Sequence, residues 1–257
     1  MAQSTVASWN ERDNICMNAS HVFEDGLCLE VLQDAEAVAN RAADWLADRL
    51  TGLIEANGFA VLAISGGRSP SPMFRRLVLN EAIAWKDIHI VQVDERVAPA
   101  GDADRNWTIA SGVFGSVVPQ HNLHPMPVED ESLDLAAGLY ADLLSGLTEG
   151  NGIGIVHLGL GADGHTASLF PGDDVLHVQD RAVAVTNQPH MGRRRMTLTL
   201  PTIDCAQHVL WQVVGSDKSL MLKKLVHQDQ SIPAAVVRRG SALILADVSA
   251  ASELEIG

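Results

Sequence analysis

Asp163 and His165 stand two positions apart in LGLGADGHTASLFPG, residues 158 to 172, at the end of the apolar run Ile153 to Leu160. An imidazole with an ordinary pKa near ~6.5 can take up and return a proton around neutral pH. A carboxylate beside it selects its tautomer and stabilises its protonated form, as in a catalytic triad. The pair therefore reads as a general base, His165, oriented by Asp163; the blander alternative is that His165 caps the helix expected to follow. Two more apolar runs end in unusual polar residues. Phe59 to Ile64 leads into Ser65-Gly66-Gly67-Arg68-Ser69-Pro70, and Ile88 to Val93 into Asp94-Glu95-Arg96. A Ser-Gly-Gly turn lets the backbone approach a ligand closely. The helix expected after it would supply free N–H groups and a positive dipole end, which suits a phosphate. Asp94 or Glu95 could enter a site and Arg96 could meet an anion, although a solvated charge cluster has the same letters. Arg193-Arg194-Arg195 and Lys218 are further basic candidates, equally readable as a solvated turn and a helix start.

Strands alternating with helices must position these groups. From Asp34 onward, Val38, Ala42, Trp45, Leu46, Leu50 and Leu53 recur at three- and four-residue spacing, which predicts a helix capped by Asp34 and stopped at Gly58. The runs 59–64, 88–93 and 153–160 read as strands buried on both faces. Residues 182–186, 196–200, 208–214 and 242–246 read as further strands. Helices are expected to about Leu79, from near Asp104, over Glu129 to Leu147, and from Gly215 to about His227. This alternation implies an α/β fold, a mostly parallel sheet with helices on both faces. The carboxyl ends of its strands share one edge, so loops 65–70, 94–96 and 161–165 can converge there. No internal repeat appears. The expected organisation is a flexible N-terminal arm, residues 1–18, followed by a single domain, residues 19–257.

Composition narrows the functions available. The formal net charge of −14 argues against generic nucleic-acid binding, which needs a surplus of Lys and Arg. An anionic small molecule would need a local basic pocket. Cys16, Cys28 and Cys205 form no CxxC pair and leave an odd thiol, so neither a disulfide framework nor a zinc site is indicated, and a reducing compartment fits. With no run of ~18 apolar residues and no signal-peptide core, the expectation is a soluble cytoplasmic protein with no membrane partner. Gly159 to Gly164 matches the dinucleotide pattern GxGxxG. The acid expected about 20 residues further on is missing from Val183-Ala184-Val185-Thr186, so a nicotinamide-dependent dehydrogenase is a weak reading. No P-loop or nucleophile elbow is present. Ser168 lies too near His165 along the chain for a serine triad. His121 and His124 have HxxH spacing, but no carboxylate cluster completes a metal site.

GADGHTASLFPG at 161–172 resembles the most specific signature of the 6-phosphogluconolactonase family. SGGRSP, DERVAP at 94–99, RMTLTLP at 195–201, GSDKSLMLKKL at 215–225 and ADVSAAS at 246–252 are similar to its other blocks, in order. The resemblance implies a Rossmann-like sheet of the deaminase and ribose-5-phosphate isomerase kind, with no metal or other cofactor. It implies hydrolysis of a small sugar-phosphate lactone, 6-phosphoglucono-1,5-lactone, to 6-phosphogluconate in the oxidative pentose phosphate pathway, by a monomer or homodimer. Carried over residue by residue, the catalytic pair falls on His165 and Asp163. Substrate-binding positions fall on Ser65, Gly66, Gly67, Arg68, Ser69, Asp94, Arg96, Asn106, Gly161, Gly164, Arg195 and Lys218. The family loop after DER usually carries Ser-Asn where this chain has Arg105-Asn106, which leaves the role of position 105 open. An amino-sugar-phosphate deaminase/isomerase is the nearest alternative, though the tail Ser168-Leu169-Phe170-Pro171 departs from its usual pattern. A non-catalytic sugar-phosphate-binding protein is another.

Overall fold

The computed structural model describes residues 21–255. The expected N-terminal arm, residues 1–18, lies outside them. The elements in chain order are β1 (His21–Val22), β2 (Cys28–Leu32), α1 (Ala35–Asn57), β3 (Ala60–Ile64), α2 (Ser71–Leu77), β4 (Ile88–Gln92), β5 (Asp94–Arg96), α3 (Asn106–Phe114), β6 (Leu123–His124), α4 (Leu133–Thr148), β7 (Ile155–Gly159), β8 (Val183–Val185), β9 (Arg195–Leu198), α5 (Leu200–Asp204), β10 (His208–Val213), α6 (Ser219–Val226) and β11 (Ala242–Asp247).

Helix α1 forms as its spacing predicts. The Asp34 carboxylate accepts the Ala37 N–H at 2.8 Å, and Gly58, at φ +82°, closes the last turn with its N–H on the Ile54 carbonyl. Its apolar stripe, including Val38, Ala42, Leu46, Leu50 and Leu53, is buried on the sheet.

The main sheet has the order β1-β2-β11-β10-β7-β3-β4-β6 and is parallel throughout except for β1 on β2. Side chains of β3 alternate between two cores. Ala60, Leu62 and Ile64 pack with α1, α2 and α3, while Val61 and Ala63 pack with α4 and α6. A strand covered on both faces has no polar positions to spare, which is why these runs are continuously apolar. Chain order reverses between β3 and β7. From β3 the chain builds outward to β4 and β6, and from β7 to β10 and β11. Loops leaving β3 and β7 therefore splay apart around a crevice at the carboxyl edge.

Several expectations need correction. Residues 94–96 are a strand, not a loop: β5 pairs antiparallel with β9, and β9 with β8, in a second sheet of order β5-β9-β8. The runs expected as strands near 182–186 and 196–200 thus belong to this small antiparallel sheet, where their buried residues join the α4 side of the core. No helix follows His165; residues 166–172 run through tight turns, with a Thr166–Leu169 bridge. Strand β2 had no counterpart in the sequence reading. Cys28 at its start is disulfide-bonded and Cys205 is free, so the cysteines lend no support to a reducing compartment. None of the described helices is long and apolar enough to cross a membrane.

Candidate active site

The crevice at the β3/β7 reversal opens into a cavity of about 880 Å³. Loop 65–70 forms one wall, the 161–165 turn another, and β5 and β9 of the small sheet bring in Asp94, Arg96 and Arg195 from the side. Residues ~30 to 70 positions apart in sequence thus share one edge, as parallel topology requires.

His165 and Asp163 meet in the turn after β7. His165 Nδ1 lies 2.5 Å from Asp163 Oδ1, and the same oxygen accepts the His165 backbone N–H at 3.2 Å. Burial alone would raise the Asp163 carboxyl, but the hydrogen bonds and charge of His165 outweigh it and hold the pKa below the usual value. With Nδ1 engaged, Nε2 is the ring nitrogen left for chemistry. Gly161 makes this arrangement possible. A Cβ there would sit 2.1 Å from His165 Nδ1 and 2.6 Å from Asp163 Oδ1, so the pair rests against bare backbone. The expectation that His165 merely caps a helix fails because there is no helix. For the same reason the GxGxxG letters offer no helix N-terminus to a pyrophosphate.

Asp94, in β5, gathers three side chains from elsewhere in the chain. Its Oδ2 accepts from Ser168 Oγ at 2.5 Å and lies 3.8 Å from Arg195 Nη1; its Oδ1 accepts from Asn106 Nδ2 at 3.2 Å. Ser168 is fully buried on this carboxylate and is no nucleophile for His165. Of the three clustered arginines only Arg195 lines the cavity. Arg193 is held by Asp102 and Asp104, and Arg194 donates to the Thr186 carbonyl. Arg195 is buried, its guanidinium 5.2 Å over the Phe170 ring and its Nε enclosed without a partner. Desolvation lowers its pKa while Asp94 pulls the other way.

The remaining candidates divide. Ser65, Gly66, Arg68, Ser69, Arg96, Asn106 and Lys218 line the cavity. Ser65 Oγ is committed to the His157 carbonyl at 2.8 Å, and Lys218 reaches Asp217 at 3.0 Å. Arg96 donates to the Asp104 carbonyl, while Arg68 has no salt bridge among the described residues. Gly66 is held against Asn106, whose side chain a Cβ would overlap at 2.0 Å. Gly67 and Gly164 are off the cavity wall: Gly67 turns the loop at φ +99°, and Gly164 packs on Ile232. Glu95 is also elsewhere. Fully buried, it accepts the N–H groups of Asn106 and Trp107 at the start of α3 and pairs with Arg105 at 3.1 Å. Arg105 thus holds the loop together and does not line the cavity. His124, from the HxxH pair, meets His89 at 3.0 Å, and no group of three metal-binding side chains exists among the described residues.

His157, Phe170, His190 and Gln212 line the cavity without having been singled out in the sequence. A signal existed for His157 and Gln212, each a polar residue inside an otherwise buried apolar strand. Four cations, Arg68, Arg96, Arg195 and Lys218, therefore surround one cavity in a chain of net charge −14. Beside them stands His165, oriented by Asp163 with Nε2 left open. The arrangement suits an anionic substrate and proton transfer.

Residues 33–245 match the family model for glucosamine-6-phosphate isomerases/6-phosphogluconolactonase. A 6-phosphogluconolactonase from Nostoc sp. (strain PCC 7120) is 31% identical over 239 residues, covering 89% of this chain and 98% of the relative; that from Synechocystis sp. (strain PCC 6803) is 31% identical over 237. The structure of 6-phosphogluconolactonase from Trypanosoma cruzi superposes with a TM-score of 0.81 at 23% identity, covering 91% of this chain and 99% of that one. A monomeric glucosamine-6-phosphate deaminase shares the fold too, at a TM-score of 0.75 and 20% identity, covering 88% of this chain and 99% of that one. The chain belongs to the glucosamine-6-phosphate isomerase/6-phosphogluconolactonase family.

Proposed function

We propose that this protein hydrolyses 6-phosphoglucono-1,5-lactone to 6-phosphogluconate, with His165 as general base. The observation that carries this reading is the Asp163–His165 pair facing a cavity ringed by Arg68, Arg96, Arg195 and Lys218. The names of the similar proteins support the same substrate.

The phosphate is held by the cavity cations, each charge-assisted bond worth roughly 1.5 to 3 kcal/mol. That anchors the sugar and places the lactone carbonyl beside His165. Neutral His165 takes a proton from water through Nε2 as the water oxygen bonds to the carbonyl carbon. Asp163 stabilises the imidazolium so formed. Negative charge then develops on the carbonyl oxygen. In the turn, the N–H groups of Gly161 and Gly164 are bonded internally and that of His165 goes to Asp163, which leaves the N–H groups of the cavity-lining Ala162 and Asp163 as oxyanion donors. Collapse of the tetrahedral species breaks the ring C–O bond, and His165 returns its proton to the departing ring oxygen.

The test is a rate measurement on freshly generated lactone, corrected for spontaneous hydrolysis. His165→Asn should lower kcat by about 10²-fold or more with little change in KM, as loss of a general base does. A folded variant with unchanged kcat would remove His165 from this role. Release of ammonia from glucosamine 6-phosphate by the native protein would instead place it on the deaminase side of the family.

A further inference from the structure

A second histidine–aspartate pair stands across Phe170 from the first. His190 Nε2 lies 2.8 Å from Asp173 Oδ2. The His190 ring stacks on Phe170 at 3.9 Å between centroids and 9° between planes, and His165 covers the same phenyl at 4.4 Å. Two rings this close cannot share one face, so Phe170 is sandwiched between the two imidazoles. Its ring keeps the two imidazoles out of direct contact.

The chain fixes His190 firmly. Met191 and Gly192, at φ +53° and +81°, form a tight turn closed by mutual bonds between His190 and Arg193. Asp173, directly after the LFPG turn and itself buried, accepts the backbone N–H groups of Val175 and Asn187, and that of Gln188 at 3.5 Å. Burial alone would raise its carboxyl, but these bonds and the His190 imidazole outweigh it and hold the pKa below the ordinary value. Asp173 is therefore a permanent acceptor, and His190 donates Nε2–H to it. Nδ1 makes no hydrogen bond among the described residues, and the residue lines the cavity. The nearest cavity cation is Arg195, whose Nη2 lies 3.4 Å from the His190 carbonyl oxygen and whose guanidinium also covers Phe170.

We propose that His190, held by Asp173, binds the phosphate of the substrate through Nδ1 beside Arg195, and so helps select phosphorylated over unphosphorylated lactones. This rests on the lactonase reading for the substrate, not for the site. An imidazole nitrogen and a phosphate oxygen can each either donate or accept, so the two can share one proton in either direction. Nδ1–H donates to the dianion, or the monoanion's O–H donates to Nδ1. An anchor so built retains a hydrogen bond wherever the pair carries one proton.

The test has a catalytic and an equilibrium arm. Against 6-phosphogluconolactone, His190→Gln should raise KM about tenfold, the equivalent of one weak charge-assisted bond, with kcat within a factor of about two. Against unphosphorylated gluconolactone it should change neither. His190→Phe keeps the stack on Phe170 without any ring nitrogen and should behave like His190→Gln; a native KM in that variant would reduce His190 to packing and overturn the proposal. In the equilibrium arm, imidazole NMR of the native protein is titrated with 6-phosphogluconate and with inorganic phosphate. The His190 signal should shift with both, and both should bind more weakly to His190→Gln. Equal binding by native and variant protein overturns the inference. If the native protein binds phosphate at His190 yet hydrolyses no lactone, the lactonase reading fails and this one stands.

Discussion

Gly161→Ala is the sharpest perturbation of the catalytic pair, because it adds one carbon where the pair has no room. The Gly161 backbone is not in the left-handed region, so alanine costs little conformationally. The whole effect is steric: the new Cβ would lie 2.1 Å from His165 Nδ1 and 2.4 Å from its Cε1. Restoring an ordinary contact needs a ring displacement of about 1 Å, a misplacement that typically costs about 10²-fold, or roughly 2.7 kcal/mol of barrier. His165 is part-exposed to the cavity and can swing outward, so global stability should fall by less than about 1 kcal/mol. The assay is kcat on fresh lactone beside a urea denaturation curve. Gly161→Ala should lose about 10²-fold in kcat with a near-native midpoint, and adding it to His165→Asn should cost almost nothing more, since both act on one group. Native turnover in Gly161→Ala, or full additivity in the double variant, would refute the placement of the proton-transfer group.

Arg195→Ala should raise KM about tenfold or more with a smaller fall in kcat; a defect confined to kcat would argue against phosphate binding there. Arg105→Ala removes the charged partner of fully buried Glu95, leaving it only neutral donors, and should cost about 3 kcal/mol in denaturant unfolding, while KM for the surviving folded enzyme stays near native. Burial pushes His157 and His208 down to about 4, and burial with the neighbouring His89 and His121 does the same for His124. Because these folded-state values lie below the unfolded ~6.5, the stability they contribute is complete above pH ~6.5 and is lost as pH falls through about 4, by about 3 kcal/mol for buried His157. Urea midpoints measured from pH 7 to 4.5 should fall, and fall less in His157→Gln; a flat profile would contradict the direction.

The three apolar runs and their polar ends were legible because a strand covered on both faces must be apolar and its loop need not be. So was Asp163–His165, two positions apart in one turn. The small antiparallel sheet was not, for a physical reason: Asp94, Glu95 and Arg96 pair with Thr197, Met196 and Arg195 about a hundred residues away, and nothing local distinguishes a three-residue strand from a charged loop. The same pairing decides which arginine reaches the cavity. Arg195 lies opposite Arg96 in the register, while Arg193 falls to Asp102 and Asp104 beyond the strand. The helix expected after His165 failed because Ser168 is drawn down to Asp94 and Thr166 back to the Gly159 carbonyl, so side-chain bonds displace the helical ladder.

Strand β11, residues 242–247, is the last of the described strands to be synthesised yet lies inside the sheet, between β2 and β10. Until it emerges from the ribosome, β2 and β10 each present an unpaired edge, and the halves of the sheet on either side of the gap have no hydrogen-bonded seam. Exposed edges recruit other chains. A message truncated shortly before codon 242 would therefore yield aggregating material rather than a weakened enzyme, even though every side chain proposed for the reaction would already have been made. Synthesis of β11 and solubility are coupled by topology alone.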